Sequence, residues 1–363
     1  MEQRQLILLA SSDINYDQRL QKIAQALHTD QWQVLLLGVM RPHSIPLQEK
    51  AFGQRRVKRI FSSGILFYLE FNCRFFWYLL RNKVDVLVAN DPDTLPAVWF
   101  LSWFKRFDLV YDSHEYFTEV PELAHKSFKR KVWAGLERWG VRKAKKCYTV
   151  NESLAQILGK KYDKQFAFIR NVPLAFAERP SMNKKPYVLY QGALNEGRGL
   201  EVLIEAMEGV PLELWIAGKG DLEAQLKQRV EQKKMTGQVK FLGMLLPKEL
   251  RAITVEAKIG INVLSSTSLN YYYSLANKCF DYMHAGVPAI HMNFPEYERI
   301  QEKGPVGVLI KELEVDELRE AILKLEQDKE YYQHCAENAL RLAEEYQWGK
   351  EQVTLQNLFK SLK

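Results

Sequence analysis

Short apolar runs alternate with amphipathic stretches along most of this chain. Gln5–Ala10 predicts a strand, and Asp17–Thr29 a helix with Leu20, Ile23, Ala24 and Leu27 on one side. Val34–Leu37, Asp85–Ala89, Leu109–Tyr111 and Cys147–Val150 predict further strands, the last leading into a helix from about Ser153. Two of these runs end in polar clusters, Asn90-Asp91-Pro92-Asp93 and Asp112-Ser113-His114-Glu115. The pattern breaks near Asn171-Val172-Pro173, and the polar, proline-bearing stretch 175–186 predicts a linker. It then restarts with strands at Tyr187–Tyr190, Glu213–Ala217, Val239–Leu242 and Ile259–Val263, separated by helices at Leu200–Glu208, Leu222–Gln232 and Pro247–Glu256. A helix from about Leu275 to His284 and a buried strand at Ala289–His291 follow. Beyond Leu313 the chain reads as helical, with Leu318, Ile322 and Leu325 on one face and a last amphipathic helix over Glu351–Leu362.

Apolar strands alternating with helices predict parallel, doubly wound α/β sheets, in which ligands bind beyond the carboxyl ends of the strands. The break at 175–186 predicts two Rossmann-like domains facing each other across a cleft, at 1–175 and 186–345. The final helix, at about 349–363, either completes the second domain or crosses back to the first. With 363 residues, 47% of them hydrophobic and 26% charged, the composition is that of a globular protein with more than one core.

Charge sharpens this picture. Residues 1–180 carry 28 Lys+Arg against 18 Asp+Glu, whereas residues 181–363 carry 23 against 26. A basic half predicts an acidic partner, whether a membrane face, a phosphorylated substrate or nucleic acid, or simply a solvated basic face. The aromatic region Ile60–Leu80 has Glu70, Asn72 and Arg74 at its centre, which argues against a membrane span. Leu6–Ala10 is too short for the apolar core of a signal peptide. Cys73, Cys147, Cys279 and Cys335 match no metal or redox spacing and predict free thiols in a reducing cytoplasm.

The most informative stretch is Tyr271–His291. A helix entered from a polar loop aims free backbone N–H groups at whatever lies over its start, which suits a phosphate. Lys278 in the first turn adds a charge, and Asp281 one turn on offers a carboxylate to sugar hydroxyls. The competing reading is an ordinary surface helix. Upstream, Gly192-Ala-Leu-Asn-Glu-Gly197-Arg198-Gly199 forms a glycine loop with a forked donor at its mouth. Ala217-Gly218-Lys219-Gly220 reads better as a tight turn. Neither loop matches a phosphate-loop or dinucleotide fingerprint. His114 at a strand end could bond a phosphate or sugar hydroxyl, or merely cap its strand, and His114-Glu115 lacks the second histidine of a zinc-protease motif. Asp91, Asp93 and Asp112 offer oxygen ligands for a divalent ion, although Asp91-Pro92-Asp93 reads more naturally as a helix cap.

Taken in order, the Gly192–Gly199 loop, Ala217–Gly220, Val239–Gly243 with Pro247–Leu250, and Asn277–Pro288 resemble the retaining glycosyltransferases of the GT-B fold, glycosyltransferase family 4. Asp112–Glu115 and Asn171–Pro173 resemble that family's first domain and interdomain joint. The resemblance implies that Arg198 and Lys278 neutralise a donor diphosphate, helped by the Gly192 and Gly197 loop and by backbone N–H groups around Ser274, Leu275 and Asn277. Asp281, seven residues before Pro288, would bind the ribose, and the loop from Gly243 and Met244 to Leu246 the base. His114 would reach the transferred sugar, and the final helix would return to the first domain. The implied reaction is metal-independent and needs no cofactor. It moves a sugar from a nucleotide sugar to a glycan or lipid-linked acceptor, which implies a role in bacterial cell-surface glycan synthesis for a cytoplasmic protein peripheral to an anionic membrane surface. Nucleic acid is not an expected partner. Three positions depart from the family pattern: Ala193 stands where many relatives have Arg, Tyr273 replaces a carboxylate, and Asp281 is one methylene shorter than the usual Glu. Those departures keep a non-catalytic nucleotide-sugar-binding subunit in play, with a nucleotide-sugar 2-epimerase as the third reading.

Overall fold

The structure, a computed structural model, describes residues 3–42, 44–120, 123, 126–175 and 183–362. Most of the linker expected over 175–186 lies outside the described residues. The chain divides into two compact units, residues 1–171 with 351–363, and residues 172–350.

The first unit runs β1 (Arg4–Leu9), α1 (Gln18–Leu27), β2 (Trp32–Val39), β3 (Gly53–Val57), α2 (Gly64–Arg81), β4 (Val86–Asn90) and α3 (Leu95–Leu101). It continues through β5 (Asp108–Ser113), α4 (Ser127–Lys143), β6 (Lys146–Thr149), α5 (Glu152–Tyr162) and β7 (Phe166–Phe168). Its described strands form a sheet in the order β3-β2-β1-β4-β5-β6-β7, with every pairing parallel. The order reverses between β1 and β4, the point at which a crevice opens beyond the strand ends. Asp17 caps α1 by accepting the Leu20 N–H at 3.0 Å, and Leu20, Ile23, Ala24 and Leu27 are buried as the helical period requires. The edge strands β3 and β7 were not expected. β3 reads Gly-Gln-Arg-Arg-Val and lies half in solvent, so it carries no apolar alternation; charged residues there protect the sheet edge from stray pairing.

Residues 351–363, most of which lie in the last helix (Trp348–Lys360), belong to this unit. Glu351 accepts from both the backbone N–H and the guanidinium of Arg170, each at 3.0 Å, and Gln356 donates to the Ala26 carbonyl at 2.9 Å. The Phe359 ring packs edge-on to Tyr148.

The second unit runs β8 (Lys185–Gln191), α6 (Leu200–Ala206), β9 (Glu213–Ala217), α7 (Glu223–Gln232), β10 (Val239–Gly243), α8 (Pro247–Glu256) and β11 (Ala257–Asn262). It then passes through α9 (Leu269–Tyr272), α10 (Asn277–His284), β12 (Ala289–Met292), α11 (Pro295–Glu302), β13 (Gly307–Ile310), α12 (Val315–Gln327) and α13 (Lys329–Ala343), and the chain leaves it through α14 (Trp348–Lys360). Its described strands are again parallel, in the order β10-β9-β8-β11-β12-β13. The switch point lies between β8 and β11. Helix α10 docks there through Tyr282, whose ring fills the space left by Gly260 and whose hydroxyl donates to the Leu189 carbonyl at 2.8 Å.

Candidate functional site

The second unit brings its expected residues together at that switch point. Helix α10 starts at Asn277, two residues later than the sequence pattern suggests. The reason is local: Ala276 is extended at ψ 139°, and its N–H donates to the Tyr297 hydroxyl at 3.1 Å instead of entering a helix. Ser274 Oγ donates to the Tyr271 carbonyl at 2.8 Å, and Leu275 is half-buried in the approach. No side chain caps α10, and Asn277 is exposed, so the first turn keeps backbone donors for an incoming group.

Lys278 is the centre of the arrangement. Its residue is only 7% exposed, its Nζ has no hydrogen-bond partner, and the ammonium lies 4.1 Å from the centroid of the Tyr190 ring. Burial, with the nearby Arg198 adding repulsion, drives its pKa well below the ordinary lysine value. Arg198 lies between Gly197 and Gly199, both in the left-handed region at φ 77° and 70°. A side chain at position 197 would collide with the Tyr271 ring, and the Gly197 carbonyl accepts the Ser265 N–H at 2.8 Å. This closeness holds the Arg198 guanidinium 5.1 Å from the Tyr271 ring centroid, with a buried Nε that also lacks a partner. Two basic side chains are thus packed on aromatic faces, and among the described residues no carboxylate pairs with either, so that a bound anion would favour the charged form of Lys278.

Asp281 accepts from Gln191 Nε2 at 2.7 Å, and Gln191 Oε1 in turn accepts from Thr254 Oγ1 at 2.8 Å. Gln191 was missed in the sequence; the available signal was a polar residue closing an otherwise apolar strand. The glycines of three successive strand-end loops interlock. Gly218 donates its N–H to the Gly243 carbonyl at 2.8 Å, and a side chain at 218 would run into the Gly192 carbonyl. The Ala217–Gly220 segment, where the sequence suggested a tight turn, packs backbone against backbone between the neighbouring loops. Met244, just beyond Gly243, is 69% exposed.

In the first unit His114 follows β5. Its backbone N–H donates to Asp91 Oδ1 at 2.8 Å; its ring nitrogens lie 3.1 Å from Asp112 Oδ2 and 3.4 Å from Asp91 Oδ2. Burial alone would depress the imidazole, but Asp112, then Asp91, overcome it and raise the pKa to about 9. Asp112 also pairs with the buried Arg19 at 3.1 Å, which helps keep its carboxyl low against burial. The expected cap role of Asp91 is corrected here. Its side chain makes no cap bond to the 3-10 turn Pro92–Thr94; it is turned to His114 instead, with the backbone at φ 59°. Among the described residues no group of three or more His, Cys, Asp or Glu side chains is arranged to hold a metal ion.

The family model described as "Glycosyl transferases group 1" matches residues 172–342, and that described as "Glycosyl transferase 4-like domain" matches residues 16–165. No curated protein sequence matches the chain. Among solved structures, sucrose-phosphate synthase from Thermosynechococcus elongatus superposes with a TM-score of 0.80 at 16% identity over 99% of each chain. The Anabaena protein HepE in complex with UDP and glucose superposes at 0.77, with 16% identity over 99% of this chain and 100% of its own. WaaG, a glycosyltransferase involved in lipopolysaccharide biosynthesis, superposes at 0.72 with 15% identity over 97% and 99%. With a family match on each unit and this shared architecture, the chain belongs to the group 1 glycosyltransferases and has the GT-B fold.

Proposed function

We propose that the chain binds a nucleotide sugar through its second unit and transfers the sugar to an acceptor hydroxyl with retention at the anomeric carbon, without a metal ion. The observation that carries this reading is the pair Lys278 and Arg198, two neighbouring side chains with buried, unpartnered nitrogens. Packing like charges in a dry site is unfavourable unless a ligand supplies the missing anion. A diphosphate does so, and the uncapped start of α10 adds backbone donors. The UDP and glucose held by HepE favour a sugar nucleotide as the ligand. In this assignment Gly192, Gly197, Ser274, Leu275 and Asn277 surround the diphosphate, Gly243 and Met244 border the base, and Asp281, oriented by Gln191, takes ribose hydroxyls.

We assign a front-face route. The bond from the anomeric carbon to the diphosphate breaks, the acceptor oxygen bonds to the same face, and a departing phosphate oxygen receives the acceptor's proton. Lys278 and Arg198 stabilise the charge that grows on the diphosphate. His114, held protonated between Asp91 and Asp112, donates a hydrogen bond to a sugar hydroxyl. The acceptor we favour is a growing cell-surface glycan or lipid-linked sugar, met at the cytoplasmic side of an anionic membrane.

A panel of UDP-, GDP- and ADP-sugars tests the reading. Release of the nucleoside diphosphate from one donor, accelerated by an acceptor, is the expected result. Tight donor binding with neither hydrolysis nor transfer would select a non-catalytic binding subunit, the reading that Tyr273 in place of a carboxylate favours. Recovery of a 2-epimer would select an epimerase.

A further inference from the structure

The first unit carries an apolar surface that the sugar-transfer chemistry does not use. Helix α2 buries Phe67, Phe71, Phe75 and Leu79 against the sheet, as a surface helix should. Its opposite ridge, expected to be polar, instead presents Ile65, Leu69, Cys73 and Trp77, with exposures of 73%, 56% and 51% for the isoleucine, leucine and tryptophan. The ridge continues onto the end of α3 and the turn behind it. Phe76 contacts Trp77, Phe100 and Phe104 edge-to-face with ring centroids 5.5 to 6.4 Å apart, and Phe100 contacts Trp103 at 5.8 Å. Trp103 and Phe104 are each more than 60% exposed.

The rim of this patch is basic. Residues 55–106 hold nine Lys+Arg, of which Arg56 is buried against Asp13, against four Asp+Glu. Each of the four acids is engaged elsewhere: Glu70 by Arg74 and two backbone N–H groups, Asp85 by the Gln5 N–H, Asp91 by His114, and Asp93 in its buried place beside the β4 end. Arg81 stacks on Trp77 at 5.1 Å, and Lys105 closes the α2 carboxyl end on the Leu79 and Asn82 carbonyls. No described helix is long and apolar enough to cross a membrane. An exposed apolar ridge with tryptophans at its margin and a cationic rim is the arrangement that seats a helix in the headgroup layer of an anionic bilayer.

We propose that α2 and the end of α3 form a membrane-docking surface, with Leu69, Trp77 and Trp103 entering the interface and Arg81, Lys105 and Arg106 meeting anionic headgroups. This deepens the membrane element of the proposed function, yet it needs neither donor nor acceptor to be true. Co-sedimentation of the full chain with phosphatidylglycerol-containing vesicles, and with vesicles of phosphatidylcholine alone, tests it. The expected result is binding at least about tenfold tighter to the anionic vesicles and weakened by salt. The Leu69→Gln/Trp77→Gln double variant should lose at least about tenfold of that binding while keeping its melting temperature and its donor affinity in solution. Failure of the wild-type chain to sediment with anionic vesicles would overturn the proposal, as would unchanged binding of a folded double variant. A lipid-free, concentration-dependent dimer abolished by the same substitutions would overturn it as well, making the patch an interface between copies. Donor affinity, measured separately, reports on the sugar-nucleotide reading whichever way the vesicle result falls.

Discussion

Lys278 sits where an apolar side chain would be more comfortable. Its pKa is depressed, so between that value and the ordinary lysine value the unfolded chain holds a proton that the folded chain lacks. Stability therefore rises with pH between the depressed value and the ordinary lysine value, and falls as pH drops through the depressed value. Lys278→Met should remove that dependence and leave the melting temperature equal or higher, since an isosteric apolar replacement of a buried charge is neutral or stabilising by about 1–4 kcal/mol. The same variant should lose about 100- to 1,000-fold in turnover. Thermal scans across pH beside steady-state rates would check both, and a variant that is less stable yet near-normal in rate would contradict the argument. On the proposed reading a bound diphosphate raises the lysine's pKa again, so binding should take up protons between the depressed and the ordinary value. Calorimetry in buffers of different ionisation enthalpy reads this directly. His114 works in the opposite direction. Its pKa, raised to about 9, adds stability that is complete below the unfolded histidine value and lost as pH rises through about 9. An NMR titration of its ring should show the high midpoint, and Asp91→Asn should lower it. Lys278 was legible in the sequence because a lysine just inside a helix start has few other uses. Gln191, Asp91 and Arg19 were not, because each acquires its role only from a neighbour distant along the chain.

At the scale of elements, apolar alternation revealed the central strands β1, β4, β8 and β11 because both faces of a parallel sheet are buried. It failed at β3 and β7, where one edge meets solvent, and at α2, whose two apolar ridges erase the helical period. Helix α10 meets β11 through a close steric fit. A side chain at Gly260 would approach the Tyr282 ring at 2.6 Å, and this ring fastens α10 to β8 through its hydroxyl. Gly260→Ala should therefore destabilise the second unit by about 1–3 kcal/mol, the usual range for overpacking a core. It should also weaken UDP binding by shifting the start of α10. Urea unfolding followed beside UDP titration would test the link. Lost stability with unchanged affinity would show that α10 is positioned independently of Tyr282.

For the whole molecule, the two-domain plan was legible from the order of the motifs; the amphipathic period of the last helix left its destination open, and only the family resemblance implied its return to the first domain. Leu355, Phe359 and Leu362 follow an amphipathic period that would suit either domain. Their side chains are essentially fully buried, and residues 351–363 group with the first unit. The sequence-distant partners make the choice: Arg170 for Glu351, Ala26 for Gln356, Tyr148 for Phe359 and Arg4 for the Leu362 carbonyl. Three buried apolar side chains at about 1.5–3 kcal/mol each form a large share of any domain's net stability. Truncation after Lys350 should thus lower the melting of the first unit, and proteolysis should cut residues 3–171 faster. The second unit, whose described core lies within residues 183–350, should keep its own melting and its UDP affinity. Calorimetry resolving two transitions would check this, with equal loss in both transitions counting against the assignment of the tail to the first unit alone.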